Sequence, residues 1–547
     1  MVNIIGSGLS GLSCALRLAG QGQSCRLISN QPSYRAQSVL AEGGINAVLD
    51  TMGEADTIEE HYTDTMRGGA FLADEEAVRG LVTQAPRIIE WLSSLGVPFQ
   101  MENGRILLRN FGGQKKKRTA FVKSSTGKAL TNALIDATRR YEQEERILRY
   151  QNHSFINLFL KDGVCKGAFI QNDYTGATEL LYGPVVLAVG GLSGFFPKHV
   201  TGSAANTGDA AAAVFAQGVR FSNLEMLQYH PTTIPTPFKR ILVSEAARGE
   251  GGRLFSINPV SGDKERCYFM EEKYPELKNL MPRDVVSREI YDRIMNRGEE
   301  VFLDMTEISE KVWNEKLSDL RDGILLYAGK DPMKEPVSVS PGIHYFMGGI
   351  DVDPGHRTNI PGLYAAGECA GIYHGANRLG GNSLLGAIYG GRRAAETILE
   401  EESAFSGNHN DIETFRPMNR AGSEEKESQA GDRMVAEIRT RQREESDSIS
   451  GISQFDTTLC QILLSGLGIV RTEEGISAAL DRLKELSLKA LTEREKNRIH
   501  LAEAMLRSAL WRKESRGAHY RADHPESREE FRRPSRALFQ EGGVVIE

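Results

Sequence analysis

The chain has 547 residues, enough for roughly two to four structural domains. Hydrophobic residues make up 40% and charged residues 25%, which excludes a disordered or fibrous chain. A formal net charge of -7 speaks against nucleic acid as a main partner.

Residues 2–5 form a short apolar strand, followed by Gly6-Ser7-Gly8-Leu9-Ser10-Gly11 and then a helix over 12–19. A second strand at 24–29 completes a β-α-β unit. Apolar residues at helical spacing predict helices over 74–95 and 127–141. A buried strand at 185–189 is stopped by Gly190-Gly191, and residues 207–217 read as a helix. Residues from about 222 to 340 are mixed, with prolines and turns, and read as an insertion. A further strand, 363–366, ends at Gly367-Glu368. After about residue 405 the composition shifts. Residues 424–443 are highly charged, and 472–511 show helical periodicity. From Pro525 onward the chain is charged and poorly periodic, and is expected to wrap loosely or be mobile.

These elements predict an α/β fold. A Rossmann-like FAD-binding domain is expected in two pieces, residues 1–221 and 341–404. An α+β capping domain (222–340) is inserted between them. A helical domain (405–525) and a tail (526–547) follow. No apolar run approaches a membrane span. The first strand starts at Val2, so no signal peptide is expected. The six cysteines are scattered, which predicts neither a disulfide framework nor a chain-borne iron–sulfur cluster. A cytoplasmic location follows, peripheral to a membrane if a partner docks there. No metal site is expected.

The glycine triplet gains weight from its context. Gly6 permits the tight turn, Gly8 lets the backbone approach a pyrophosphate, and Gly11 lets helix and strand pack closely. The helix start then offers free N–H groups and the positive end of its dipole to phosphate. Where an acidic residue often binds ribose, this chain has Ser29 or Asn30, a neutral hydrogen-bonding site. Glu368, at the far strand end, can accept from cofactor hydroxyls. Two such distant elements indicate a discontinuous FAD domain.

Several segments resemble the fumarate reductase and succinate dehydrogenase flavoprotein family, which includes L-aspartate oxidase. They are Gln37-Ser38-Val39-Leu40-Ala41-Glu42-Gly43-Gly44-Ile45-Asn46, Phe111-Gly112-Gly113-Gln114, Gln228-Tyr229-His230-Pro231-Thr232 and Ser244-Glu245-Ala246-Ala247-Arg248-Gly249-Glu250-Gly251. Others follow in order: Pro282-Arg283-Asp284, His344-Tyr345-Phe346-Met347-Gly348-Gly349, His374-Gly375-Ala376-Asn377-Arg378, Asn382-Ser383-Leu384 and Arg516-Gly517-Ala518-His519. The resemblance implies that Ser38, Gly43, Gly44, Asp209, Asn382, Ser383 and Leu384 join the cofactor set. It implies that His344 and Arg378 hold one substrate carboxylate, and His230 and Ser244 the other. Phe111 packs beside the flat centre of the substrate, with Gln114 nearby. A hydride comes from the flavin and a proton from Arg283, fed by Glu245 and Arg248. Arginine is an unusual acid, with a pKa above about 12, so it needs such a relay.

Many relatives tether FAD through a histidine where this chain has Gln37, so FAD is expected to be non-covalent. That loss biases the chemistry toward fumarate reduction. L-aspartate oxidase is the alternative; those enzymes usually carry a glutamate where this chain has Phe111. A non-catalytic or RNA-modifying flavin-fold protein is a second alternative, which the joint set His230, Glu245, Arg283, His344 and Arg378 disfavours. An iron–sulfur electron-transfer subunit or a soluble donor is the implied partner. The run Lys115-Lys116-Lys117-Arg118 is expected to be a solvated loop.

Overall fold

A computed structural model describes residues 1–123, 125–203, 206–259, 265–407 and 453–547. The charged run at 424–443 lies outside the described residues.

Five parallel strands form the central sheet, in the order Leu363–Ala365, Val185–Leu187, Val2–Ile5, Cys25–Ser29 and Ile147–Gln151. The chain's first strand is therefore central, and a strand more than 350 residues later closes one edge. All four residues of Val2–Ile5 are buried, as a strand covered on both faces requires. Helices Leu9–Gly20 and Asn382–Gly407 pack against one another beside this sheet. A separate antiparallel meander, His153–Lys161, Val164–Asn172 and Thr178–Tyr182, lies in the same half.

The inserted segment builds two small antiparallel sheets. One is Arg240–Leu242, Leu227–Pro235 and Ser340–Phe346; the other is Arg253–Ile257, Glu300–Asp304 and Val337–Ser338. Strand Ser340–Phe346 runs across the expected boundary at 340, because its pairing partner Leu227–Pro235 lies inside the insertion. The insertion has its own apolar core, with Val243, Leu254, Trp313 and Leu317, and Phe111 from the N-terminal part joins it.

Helices Gln454–Gly466, Glu473–Ser487 and Glu493–Trp511 follow. The last starts with a capping box at Thr492 and Glu495. The tail does not wrap loosely. Strands Arg536–Gln540 and Gly543–Ile546 form a hairpin that adds to Phe221–Ser222 and Gly349–Ile350. Its two turn residues, Glu541 and Gly542, both have positive φ, the geometry that suits a tight hairpin. Phe539, Val544 and Ile546 lie against the main core. A fully buried pair, Arg512 and Glu225 at 2.6 Å, ties this region to the turn that leads into strand Leu227–Pro235.

The basic run at 115–118 is not wholly solvated. Arg118 is fully buried, bonded to Asp56 at 2.9 and 3.1 Å and 3.0 Å from Asp64. Removing one member of a buried ionic set leaves the others unpaired, at about 3–5 kcal/mol. Arg118→Ala should therefore lower stability by about that much in chemical denaturation. A loss below about 1 kcal/mol would mean that Asp56 and Asp64 regain water.

Candidate active site

One cavity of about 1150 Å³ runs from the glycine-rich turn to the insertion. This exceeds the roughly 300–1,000 Å³ of an ordinary small-molecule pocket, as an extended dinucleotide beside a small substrate would require. Gly6, Gly8, Ser29, Ser38, Gly43, Gly44, Glu368, Ser383 and Leu384 all line it.

The glycines are there for space. A Cβ on Gly6, whose φ is +110°, would sit 2.2 Å from Ala188 O, and one on Gly11 would sit 1.9 Å from Gly6 O. Helix Leu9–Gly20 has no acidic residue in its first turn and no capping side chain at Gly8. Its start is thus open to an anion. Ser38 Oγ accepts from Leu9 N–H at 3.2 Å. Burial pushes the Glu368 carboxyl up to about 7, against a backbone N–H from Phe346. This donor set fits a dinucleotide.

Two predicted cofactor residues are engaged elsewhere. Asn382 is fully buried and does not line the cavity. Its side chain joins Asn46 at 2.7 Å, His61 at 3.1 Å and Thr65 at 3.0 Å, so it holds the loop rather than facing the cofactor. Asp209 does line the cavity, but its carboxylate is paired with Arg498 at 2.8 Å and Arg494 at 3.0 Å. Gln37 lines the cavity with Oε1 accepting from Ser203 N–H.

At the other end, His230, Ser244, Glu245, Arg283, His344, Arg378 and Phe111 converge. The insertion supplies His230 from strand Leu227–Pro235, Ser244 as N-cap of helix Glu245–Gly249, and Arg283 as first residue of helix Arg283–Tyr291. His344 stands on strand Ser340–Phe346, and Arg378 on the returning chain. The two histidine rings lie 5.2 Å apart. Ser244 Oγ accepts from Ala246 N–H at 3.4 Å, which leaves its hydroxyl hydrogen available.

Arg283 Nε and Nη2 each lie 2.8 Å from Glu245 Oε2. Glu245 Oε1 accepts from Gly112 N–H at 2.9 Å and lies 3.8 Å from Arg248 Nη2. Arg248 does not line the cavity; it donates to Asn279 O behind Glu245. Burial alone would raise the Glu245 carboxyl, but Arg283, Arg248 and Gly112 outweigh it and bring it below its ordinary value. Burial, and then Arg283, lowers Arg378 to about 9. Burial and the same guanidiniums hold His230 and His344 well below their ordinary value, so both rings are neutral. Arg283 and Arg248 thus face Glu245, while Arg378 interacts with the Glu368 and Glu245 charges without a direct ion pair to either.

Phe111 is 3% exposed, with its ring 3.2 Å from where a Gly43 Cβ would stand. Gln114 lies behind the wall, donating to Gly380 O at 2.7 Å. Two residues were missed. Thr201 Oγ1 lies 2.8 Å from His344 Nδ1, and Gln228 touches two of the arginines. Thr201 has no sequence signal of its own, whereas Gln228 stands in a segment already singled out.

Residues 2–384 match the family described as "FAD binding domain", and residues 492–542 match "Fumarate reductase flavoprotein C-term". The succinate dehydrogenase flavoprotein subunit of Bacillus subtilis is 36% identical across 96% of this chain and 91% of its own length. The chain belongs to the succinate dehydrogenase and fumarate reductase flavoprotein family. It is an FAD-dependent oxidoreductase by that membership. Within the family, the L-aspartate oxidase of Pyrococcus furiosus is 33% identical across 98% of each chain. The solved quinol fumarate reductase of E. coli superposes with a TM-score of 0.84 at 29% identity, covering all of this chain and 95% of that one. No helix among the described residues is long and apolar enough to cross a membrane.

The histidines of the fold set a pH dependence. His61, His230, His356, His374 and His519 are buried, and burial holds all five down, His61 and His374 to about 3 and His356 to about 4. Such rings stay neutral in the folded chain but gain protons in the unfolded chain below about pH 6.5. Each therefore removes about 1.4 kcal/mol of stability per pH unit as pH falls below that point. Glu42 and Glu368, pushed up by burial to about 8 and about 7, act in the opposite sense above their unfolded value. These five, with His344 held down in the same way, outweigh the two carboxyls, so the denaturation midpoint should be lower at pH 5 than at pH 6.5. An equal or higher midpoint would contradict this.

Proposed function

We propose that this protein reduces fumarate to succinate, with FAD bound non-covalently. The observation that carries the reading is the cluster of buried cations, Arg283, Arg248 and Arg378, against Glu245 and a Glu368 that burial pushes up to about 7, around a cavity that Phe111 makes apolar at one wall. Buried charge needs a compensating partner, and a flat dianion supplies it.

His344 and Arg378 would hold one carboxylate, and His230 and Ser244 the other. Arg378 and Ser244 are donors outright; His344 offers an Nε2–H when its Nδ1 accepts from Thr201 Oγ1, and His230 offers one in the tautomer whose Nδ1 accepts from Thr232 N–H. Reduced FAD supplies a hydride to one alkene carbon. Arg283 delivers the proton to the other carbon. Its contacts with Glu245 and Gln228 leave N–H hydrogens on both Nη nitrogens, beside the cavity. Glu245 and Arg248 are placed to return a proton to it. Arg283→Gln should keep the hydrogen bond to Glu245 but lower kcat about 10²–10⁴-fold. Fumarate turnover within about tenfold of wild type would remove Arg283 as the acid.

Gln37 is the support for non-covalent FAD, because an amide has no ring nitrogen to bond the flavin. Acid precipitation should leave all FAD in the supernatant. Yellow colour in the washed pellet would overturn this.

L-aspartate oxidase is the second reading, favoured by the 98% mutual coverage with that relative. Against it, an ammonium would meet guanidiniums, and Glu245 is already engaged by Arg283, Arg248 and Gly112. An iron–sulfur subunit or a soluble donor would supply electrons. Anaerobic oxidation of reduced viologen by fumarate, without aerobic peroxide from L-aspartate, is the expected result. Peroxide and iminoaspartate from L-aspartate would replace the first reading with the second.

A further inference from the structure

Gln228 is 1% exposed and touches both guanidiniums that border the cavity. Its Oε1 accepts from Arg283 Nη1 at 3.0 Å and from Arg378 Nη2 at 3.1 Å. Its Nε2 donates to Asn377 Oδ1 at 2.6 Å and to Arg378 O at 2.8 Å. Asn377 Oδ1 also accepts from Arg378 N–H at 3.1 Å. At its other end, Asn377 Nδ2 donates to Asp284 Oδ1 at 2.7 Å. Asp284 Oδ2 lies 3.0 Å from Arg288.

An amide has one accepting end and one donating end, and a guanidinium only donates. Gln228 must therefore turn Oε1 toward the arginines. A flipped Gln228 would set an NH₂ group against two buried cations and forfeit two charge-assisted hydrogen bonds. The flip is blocked from the far end. A carboxylate only accepts, so Asp284 compels Asn377 to present Nδ2 to it and Oδ1 to Gln228. Polarity thus passes from a charge, through two amides, to two cations, with a donor meeting an acceptor at each step.

We propose that Asp284 and Asn377 are positioning residues: by fixing the direction of the Gln228 amide, they set the spacing and aim of Arg283 and Arg378 before substrate binds. The chain spans the cleft, since Asp284 belongs to the insertion and Asn377 to the returning segment. The arginines are aligned only when those two parts are packed as they are here. The identity of the substrate as a dicarboxylate rests on the proposed function. A merely structural contact would not require a donor at one of the two positions to face an obligatory acceptor at the other, whereas this proposal does.

The experiment uses full-length, FAD-loaded protein and the non-reducible dianion malonate, with its affinity read from the FAD absorbance and with KM and kcat for fumarate measured beside it. Asp284→Asn leaves the amide chain without a fixed direction. It should weaken malonate and raise KM by about tenfold or more, the scale of a slightly misplaced binding group. The exchange D284N/N377D restores a donor at 284 and an obligatory acceptor beside Gln228. It should recover malonate affinity to within about threefold of wild type. Asp284→Asn with wild-type affinity, or an exchange variant no tighter than Asp284→Asn, overturns the proposal. If Asp284→Asn does not hold FAD, Asn377→Ser takes its place, with the same loss expected and wild-type affinity overturning it. A wild-type protein that binds malonate but does not reduce fumarate removes the proposed function, and the malonate series still decides this inference. One that binds no malonate overturns both.

Discussion

Burying three guanidiniums, of which two are paired with Glu245, is costly, and the rest of the site follows from it. Arg283, Arg248 and Arg378 are each less than a tenth exposed. Ion pairing with Glu245 covers part of that charge, and amide oxygens cover more. The remainder calls for an anion from outside. Neutral His230 and His344 fit the same logic, since burial and the adjacent cations keep further positive charge out. A site prepared this way orients a dianion with little reorganisation.

The discontinuity of the chain brings the parts together. The parallel sheet presents strand ends to one cavity, where the glycine-rich turn and Glu368 meet. Within the insertion, strand Ser340–Phe346 pairs with Leu227–Pro235, and the chain then rejoins the central sheet at Leu363–Ala365. Ser244, Glu245 and Arg283 come from its interior, His344 from its exit strand, and Arg378 from the chain that rebuilds the sheet. No local segment holds the whole site. Its geometry depends on the packing between insertion and sheet, to which Phe111 contributes from a third segment.

Much of this was legible in the sequence. Residues 2–5, the glycine triplet and strand Leu363–Ala365 announced the sheet, because a short apolar run stopped by glycine suits a buried strand and little else. The motifs carried the convergent set because they resemble those of the family, segment by segment and in the same order. What escaped reading was tertiary. Asn382 and Gln114 have the right neighbours in sequence but turn into the wall. Arg118 looked like surface charge, yet Asp56 and Asp64, far back in the chain, draw it inside. The tail looked formless because its strands are short and its partner, Phe221–Ser222, lies over 300 residues away. Thr201 and the chain of amides through Gln228 and Asn377 depend on hydrogen-bond direction, which composition and periodicity do not encode.

The proposed function requires two carboxylates from the ligand. Titration of the FAD-loaded protein with succinate and with propionate, each followed by the FAD absorbance change, tests that demand most directly. Propionate keeps the chain and one carboxylate but leaves part of the buried charge unpaired. Succinate should bind at least about a hundredfold more tightly, on the scale of a buried charged group losing its partner. Equal affinity for the two acids would contradict it.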